Sequence, residues 1–421
     1  MISVSRLLCD TSGYGDGLRY VPSARSQVAG THAGAGPVVV WNVTPACNLR
    51  CSHCYYDAIP VPRAVGAGEL PFRREGPSAR GGAPAPQDVP GTEEALDLID
   101  DLARFRVPVV LFSGGEPLLR PDLDRLIGRA VGLGIRTVIS TNGTLITRER
   151  AGRLRELGVS YVGVSLDGIG EANDRMRGVP GAFEAALEGI RNCLAVGQRV
   201  GLRFTMTRQN VGDLGAIFDL IETEGIPRAC FYHLVYSGRG VAMMEQDLSP
   251  AERRQALDLI VERTLGMHAA GRPAEILTVD NHADGPYLYL WALRHRPQVA
   301  PRVLELLRRS GGNRSGIAIA AIDHLGDVYP DQFSRHQPVG NVRQRPFSEI
   351  WGQSDHPVLR GLRQRKALLQ GRCRRCVWLD VCNGNFRARA GAAGDMWGDD
   401  PACYLSDDEI AWSGGEEQWT A

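Results

Sequence analysis

Residues 37–54 read PVVVWNVTPACNLRCSHC, a largely apolar run that is followed directly by three closely spaced cysteines. The apolar run, residues 37–43, predicts a buried strand. Cys47, Cys51 and Cys54 then follow in the spacing C-x3-C-x2-C. Thiolates bind iron–sulfur clusters and zinc, so the loop after this strand is a candidate metal centre.

From this strand to about residue 240, short apolar runs alternate with amphipathic stretches of helical spacing. The predicted strands are 37–43, Val107–Phe112, Thr137–Ser140, Tyr161–Leu166, Gly201–Met206 and Ala229–Leu234. The predicted helices lie near 122–133, 147–157, 181–196 and 211–223. Such alternation is typical of a parallel sheet with helical crossovers. We therefore predict the α/β class, with a partial (β/α)6 barrel.

Composition divides the chain into four segments. We predict an N-terminal segment over 1–36, the barrel over 37–240, a helical connection over 241–310 and a small cysteine-rich domain over 311–421. Within the barrel, residues 57–92 hold many prolines and glycines and few apolar side chains. That composition is typical of a mobile insertion.

The charge balance excludes several partners. The 421 residues carry 48 basic and 48 acidic side chains, which argues against a general nucleic-acid or membrane-surface binder. No apolar run approaches the ~20 residues of a membrane helix, and we see no secretory signal, so we expect a cytoplasmic protein. Lys366 is the only lysine. This arginine bias reflects either genomic base composition or carboxylate recognition by guanidinium groups.

The first cysteine group favours a [4Fe–4S] cluster. Three thiolates would ligate three irons and leave the fourth open to a small molecule. Zinc is the alternative, but zinc prefers four ligands, and His53 is adjacent to Cys54 and would crowd the same metal. A group of buried free thiols is the third interpretation.

A second cysteine group lies near the C-terminus. Its members, spaced C-x2-C-x5-C-x20-C, are Cys373, Cys376, Cys382 and Cys403. Four thiolates suit a fully coordinated auxiliary [4Fe–4S] cluster, with zinc again the alternative. We interpret Cys193 and Cys230 as buried free thiols, because they fall on a predicted helix and a predicted strand.

The three-cysteine motif resembles the signature of radical S-adenosylmethionine (SAM) enzymes. Gly114-Gly115-Glu116-Pro117, after the second strand, is similar to the glycine-rich motif of that family. Later predicted strands end in polar residues that would share one rim of the barrel, namely Asn142, Ser165 and Asp167. Each of these polar residues also has an interpretation as a turn or cap residue.

The resemblance implies specific contacts with SAM. The Gly114–Pro117 backbone and Glu116 would hold the amine, and Ser165 would contact the ribose. Arg177 would pair with the carboxylate, and His53 would lie beside the adenine. The family reaction uses an electron donor such as flavodoxin or ferredoxin to cleave SAM, and the resulting 5′-deoxyadenosyl radical takes a hydrogen atom from the substrate. The C-terminal cysteines resemble a twitch or SPASM extension, with the single-cluster twitch version fitting better.

Longer stretches resemble radical SAM enzymes of tetrapyrrole metabolism, among them Phe231–Gly240 and Thr278–Tyr287. This resemblance implies removal of acetate groups from 12,18-didecarboxysiroheme to give Fe-coproporphyrin III. The alternative is removal of propionates from the same substrate in heme d1 biosynthesis. The candidate substrate residues are His233, Tyr236, Arg239 and His282. Either histidine would bind the macrocycle or its iron, and a purely structural histidine is the alternative for each.

Two other function classes remain open. A SPASM-type peptide maturase is one, although we see no basic winged-helix-like segment before Trp41. The other is a non-catalytic electron carrier or heme-binding chaperone. The intact cysteine motif and Gly114–Pro117 argue against this second class.

Overall fold

The computed structural model describes residues 1–20, 36–61, 89–352 and 355–411. Its strands are β1 Ile2–Ser3, β2 Val38–Asn42, β3 Ala46–Cys47, β4 Ile59–Pro60, β5 Val109–Ser113, β6 Arg136–Thr141, β7 Tyr161–Ser165, β8 Val200–Met206, β9 Arg228–His233, β10 Glu275–Val279, β11 Ile319–Ile322, β12 Asp327–Tyr329 and β13 Gly340–Asn341.

The α-helices are α1 Val4–Cys9, α2 Asp16–Arg19, α3 Thr92–Arg104, α4 Leu123–Gly132, α5 Arg148–Glu156, α6 Glu171–Arg177, α7 Ala182–Ala195, α8 Leu214–Glu224, α9 Pro250–Ala269, α10 Asp284–His295, α11 Ala300–Ser310, α12 Phe347–Gly352, α13 Pro357–Arg363, α14 Gly371–Arg375, α15 Leu379–Cys382, α16 Arg387–Ala392 and α17 Asp407–Ile410. Short 3-10 helices lie at Pro117–Leu119, Val211–Asp213, Gly238–Gln246, Pro297–Val299 and Arg365–Ala367.

A single curved sheet of eleven strands organises the molecule, in the order β1-β10-β9-β8-β7-β6-β5-β2-β11-β12-β13. The six predicted strands correspond to β2 and β5 to β9, and all of them pair in parallel. Helices α3, α4, α5, α7 and α8 provide the crossovers between them. The predicted α/β class is therefore confirmed, and the carboxyl ends of these strands meet at one rim.

The sheet extends beyond the six predicted strands at both edges. β10 pairs in parallel with β9, although it lies in the segment predicted as a helical connection. β11, from the predicted C-terminal domain, pairs in parallel with β2. Without these neighbours, the outer edges of β9 and β2 would present unpaired backbone N–H and C=O groups. The predicted boundaries at 240 and 311 therefore cut through one continuous sheet.

The N-terminal segment closes the end of the barrel opposite to the rim. The Tyr14 ring lies between the guanidinium groups of Arg136 and Arg199, each 4.5 Å from its centroid. Arg19 pairs with Asp16 and reaches Glu275 at the start of β10. The N-terminal segment therefore contacts the base of the barrel near the starts of β6, β8 and β10.

Most of the predicted insertion, residues 62–88, lies outside the described residues. At its borders, β4 pairs with β3, and α3 begins at Thr92. Within the described part of the chain, no helix is both long enough and apolar enough to cross a membrane.

Candidate active site

The barrel encloses a cavity of about 460 Å³ that reaches from its base to its rim. Twelve of the sequence-predicted site residues line it: Cys47, Cys51, His53, Cys54, Gly114, Gly115, Asn142, Ser165, Arg177, His233, Arg239 and His282. Glu116, Pro117, Asp167 and Tyr236 do not. The structure therefore brings the first cysteine group and the candidate substrate histidines to one shared space.

The three thiols of the first group face one end of this cavity. Cys47 and Cys51 are buried, and burial raises the pKa of both thiols. One terminal nitrogen of Arg177 donates to Sγ of Cys51 at 3.6 Å. Among the described residues, no group of three His, Cys, Asp or Glu side chains is arranged to hold a single metal ion.

Gly115 sits against the cysteine loop. A Cβ atom there would overlap the carbonyl of Ala46. The loop backbones are joined by hydrogen bonds from Gly115 N to Thr44 O and from Glu116 N to Ala46 O, each 2.7 Å long. The glycine therefore allows the loop after β5 to support the loop that carries the cysteines.

Glu116, the expected contact of the SAM amine, is held by neighbouring donors and does not line the cavity. Its side chain is completely buried, and its carboxylate accepts hydrogen bonds from Leu118 N, Thr141 Oγ1 and Asn142 N. Burial raises its pKa to about 7 despite these donors. Thr141 and Asn142 hold the carboxylate at the end of β6. Pro117 starts a short 3-10 helix and also lies outside the cavity lining.

Asp167 lies behind the cavity wall and holds two residues that line it. It is completely buried, lies 2.9 Å from Nε2 of His53 and forms an ion pair with Arg177. Burial opposes ionisation, but Arg177 and His53 outweigh it and lower the pKa of Asp167 to about 2. Asp167 is therefore a positioning residue rather than a direct contact of the cavity.

The site has unsatisfied polar atoms beside the thiols. Nδ1 of His53 and Nε of Arg177 are buried and have no hydrogen-bond partner within the described ranges. Asn142 lines the same wall and donates from Nδ2 to Asn48 Oδ1 at 2.7 Å. Three soft sulfur donors with adjacent polar groups fit a thiolate-bound cluster and a polar small molecule.

The second cysteine group also converges. Cys373, Cys376, Cys382 and Cys403 line a separate small cavity between α14, α15 and the C-terminal segment. Burial raises the pKa of the Cys382 thiol well above its ordinary value, and the nearby thiols add to this effect. Four thiols around one cavity fit the predicted auxiliary cluster.

The two cavities share a wall. A Cβ atom on Gly312, which lines the large cavity, would overlap the backbone of Cys382. Asn385 lines the small cavity, and its Oδ1 accepts a hydrogen bond of 2.6 Å from the backbone N–H of His282. The auxiliary site therefore supports the segment that carries one of the candidate substrate histidines.

The two histidines at the rim have different surroundings. His233 is buried, its Nε2 lies 3.0 Å from Oδ2 of Asp284, and Tyr404 donates to the other oxygen of Asp284 at 2.7 Å. His282 has a buried Nδ1 without a hydrogen-bond partner in the described structure. Burial, reinforced by nearby positive charges, holds the pKa of His282 well below its ordinary value.

The other two candidate substrate residues have structural contacts. Tyr236 donates to Asp247 at 2.7 Å, packs beside Met176 and Met243 and does not line the cavity, and its contact with substrate stays a prediction. Arg239 lines the cavity, but its Nε donates to Cys51 O at 2.8 Å. The guanidinium group of Arg239 thereby holds the backbone of the cysteine loop.

Sequence reasoning missed several polar residues on the inner barrel wall, namely Tyr161, Arg203, Arg228 and Tyr232. A signal was present, because Arg203 is a charged residue within the apolar run of β8. Asp284, which holds His233, was also missed.

The comparisons with known proteins agree with this site. The sequence matches the Radical SAM superfamily over residues 41–221 and an iron–sulfur cluster-binding domain, SPASM, over residues 316–377. The chain belongs to the radical SAM superfamily, and it is an iron–sulfur enzyme that uses SAM and [4Fe–4S] clusters. The resemblance found in the sequence is thereby confirmed.

The chain is 52% identical to Fe-coproporphyrin III synthase of Methanosarcina barkeri, over 98% of this chain and 99% of that protein. It is 43% identical to pre-heme d1 synthase of Dinoroseobacter shibae, over 88% of this chain and 86% of that protein. The structure of Streptococcus suis SuiB bound to precursor peptide SuiA has a TM-score of 0.65 at 16% identity, covering 89% of this chain and 76% of that one. This last similarity is one of fold.

Proposed function

We propose that this enzyme removes acetate side chains from 12,18-didecarboxysiroheme and so forms Fe-coproporphyrin III. The observation that carries the proposal is His233, which is held by Asp284 on the wall of the same cavity that the cysteine loop borders. The similarity to Fe-coproporphyrin III synthase over nearly the whole chain supports it. An iron macrocycle and the radical source would then share one space.

His233 has the surroundings of a metal ligand. A carboxylate that accepts Nε2–H leaves Nδ1 as the ring nitrogen available to a metal, and metal-bound histidines commonly have such a carboxylate behind them. His282, kept neutral by burial, is a second candidate ligand or hydrogen-bond partner on the same cavity. Apolar side chains that suit a macrocycle line the remaining wall, among them Val40, Leu111, Phe333 and Phe386.

In this proposal the cofactors are held by residues on two walls. Cys47, Cys51 and Cys54 hold the first cluster, and the auxiliary cluster is held by Cys373, Cys376, Cys382 and Cys403. SAM lies against His53, Asn142, Ser165 and Arg177. When bound, the first cluster supplies the electron that cleaves SAM to the 5′-deoxyadenosyl radical, which abstracts hydrogen from the substrate.

The chain's own residues position these groups. Asp167 orients His53 and Arg177, and Arg239 fixes the cysteine loop from the opposite side. We also propose that flavodoxin or ferredoxin delivers the electron in the cytoplasm, a reducing compartment that suits ten cysteines of which none forms a disulfide in the described structure.

The second candidate function is removal of propionates in heme d1 biosynthesis. The 43% identity to pre-heme d1 synthase supports it, and the same cavity would serve it. The two reactions differ in which side chain of one substrate is lost, so the product mass separates them.

The test is anaerobic turnover. The reconstituted enzyme receives SAM, a reductant and 12,18-didecarboxysiroheme, and the tetrapyrrole mass is followed. Loss of two acetate groups together with 5′-deoxyadenosine supports the proposal. Changes at the propionates, or SAM cleavage with an unchanged tetrapyrrole, would contradict it.

Two cysteine variants accompany this test: one removes a thiol of the first group, and the other is its matched control. Cys54→Ala should abolish SAM cleavage, because it removes one of the three thiols at the cavity. Cys193→Ala, in a buried thiol on α7 that lines neither cavity, should retain SAM cleavage, because a core truncation acts on stability. Turnover by the Cys54 variant would refute the assignment of the first cluster.

A further inference from the structure

The inner wall of the barrel carries a cationic group that the reaction described above does not use. Arg203 projects from β8 into the cavity and lies across β7, where it donates a hydrogen bond to Ser140 Oγ on β6. Tyr161, from β7, lies deeper in the same cavity. Both side chains therefore lie below the rim that the cysteine loop borders.

Two glycines make room for these side chains. Gly163 and Gly201 are direct neighbours in the pairing of β7 with β8. A Cβ atom on Gly163 would overlap the Arg203 guanidinium group, and one on Gly201 would overlap the Tyr161 hydroxyl. Glycine weakens the interior of a strand and often marks a place where another group comes close to the backbone. Here this adjacent pair leaves the space that the Arg203 and Tyr161 side chains occupy.

The site is rich in donors and lacks a negative partner. No carboxylate of the described residues lies within ion-pair distance of Arg203, whereas the neighbouring Arg228 is paired with Glu275. Nε of Arg203 and the hydroxyl of Tyr161 are buried without a hydrogen-bond partner in the described part of the chain. Tyr161 itself is 94% buried, since its relative exposure is 6%.

This arrangement is chemically incomplete without an anion. A buried donor costs free energy unless it is bonded, and Nε of Arg203 and the Tyr161 hydroxyl are two such donors in one cavity. A guanidinium fork next to a hydroxyl matches the two oxygens of a carboxylate, which it binds by paired hydrogen bonds. Apolar side chains of neighbouring strands surround the site, including Leu111 and Val138, and they would strengthen such a bond.

We propose that Arg203, assisted by the Tyr161 hydroxyl, binds a propionate carboxylate of the tetrapyrrole inside the barrel. The inference rests on the proposed function and adds a specificity-determining contact to it. The carboxylate held at Arg203 anchors one edge of the macrocycle and so selects the side chain that faces the radical source. In this proposal Arg203 acts through substrate binding.

The test compares a charged ligand with a neutral one. Reconstituted holoenzyme, without SAM, is titrated with Fe-coproporphyrin III and separately with its amide derivative, in which every carboxylate is neutral. The Soret band reports binding. Arg203→Met and Arg203→Lys are compared with Arg129→Met, a surface arginine that pairs with Asp100 outside the cavity.

We expect Arg203→Met to weaken binding of the tetracarboxylate on the order of 10- to 100-fold, as loss of a buried charge contact does. Its affinity for the amide should change by less than about threefold, because the missing partner is a carboxylate. Arg203→Lys should fall between, since lysine keeps the charge but loses the fork. Arg129→Met should bind both ligands as the unaltered enzyme does.

Three results would overturn the inference. They are equal loss of affinity for both ligands, unchanged binding of the tetracarboxylate, and loss of SAM cleavage by Arg203→Lys in the absence of tetrapyrrole. If the unaltered enzyme binds no tetrapyrrole, the proposed function fails instead. Cluster content and thermal unfolding of each variant identify misfolding. If Arg203→Met misfolds, the comparison of the two ligands is made with Arg203→Lys.

Discussion

Asp167 and His53 are joined by a contact of 2.9 Å between Oδ2 and Nε2, although they lie on different loops of the barrel rim. The same carboxylate also pairs with Arg177, which in turn donates to Cys51. One buried charge therefore links the end of β7 with the cysteine loop.

Asp167→Asn should weaken SAM binding and destabilise the fold, because it leaves the Arg177 charge buried without its partner. Removing one member of a buried ion pair costs about 3 kcal/mol. Anaerobic equilibrium dialysis measures SAM affinity, and urea unfolding measures stability. Asp100→Asn, in an exposed pair with Arg129, is the control and should change little. Unaltered SAM affinity in the Asp167 variant would refute its positioning role.

Cys376→Ala should preserve SAM cleavage and abolish product formation. Cys376 lines the small cavity, which is separate from the cavity that holds the first cysteine group. Iron analysis and product mass spectrometry measure the two effects, with Cys193→Ala as the control. A preparation that loses zinc while its iron content stays constant would show that the second site binds zinc.

His233→Ala should shift the Soret band of bound Fe-coproporphyrin III, because it removes the proposed iron ligand. Asp284→Asn should give a smaller shift and weaken binding about 10-fold, as loss of a partner behind a metal ligand does. Absorption and resonance Raman spectra of the complexes provide the measurement. A Soret band that His233→Ala leaves unchanged would exclude this histidine as the ligand.

Acid should destabilise the protein through His324, which is buried beside the Tyr56 hydroxyl. Burial, with Arg335 nearby, lowers the pKa of His324 from 6.5 to about 4. The unfolded chain binds the proton at higher pH, so stability present above about pH 6.5 is lost as the pH falls toward 4. The slope is about 1.4 kcal/mol for each pH unit in this window.

His324→Gln should flatten this acid dependence, because glutamine does not titrate. Urea unfolding at about pH 7 and about pH 5 measures the slope, and the exposed His268→Gln is the control. If both variants lose stability with acid as steeply as the unaltered protein does, His324 is not the titrating group.

The sequence was sufficient to predict the six central parallel strands, their shared rim and the two cysteine groups. Periodicity identifies a parallel strand, and metal ligands recur at short spacings, so neither requires knowledge of distant contacts. The direction of Glu116 and Tyr236 could not be predicted, because their partners, Thr141 and Asp247, lie in other elements. The role of Asp167 could not be predicted for the same reason, because its partner His53 lies on another loop.

The added strands at the sheet edges were missed for a related reason. β10 and β11 are short, and their place beside β9 and β2 depends on pairing between distant segments. Arg203 was overlooked because its meaning depends on Gly163 of β7, over which its guanidinium group passes. A charge in an apolar strand becomes informative only when the neighbouring strand is known.

The pairing of β2 with β11 has a consequence for how the chain matures. β2 leads into the loop of the first three cysteines, yet one of its two neighbouring strands comes from far along the chain. During synthesis the N-terminal part emerges first, so β2 waits for β11 before its pairing is complete. The strand that leads into the first three cysteines therefore completes its pairing only after β11 has been synthesised, long after those cysteines have left the ribosome.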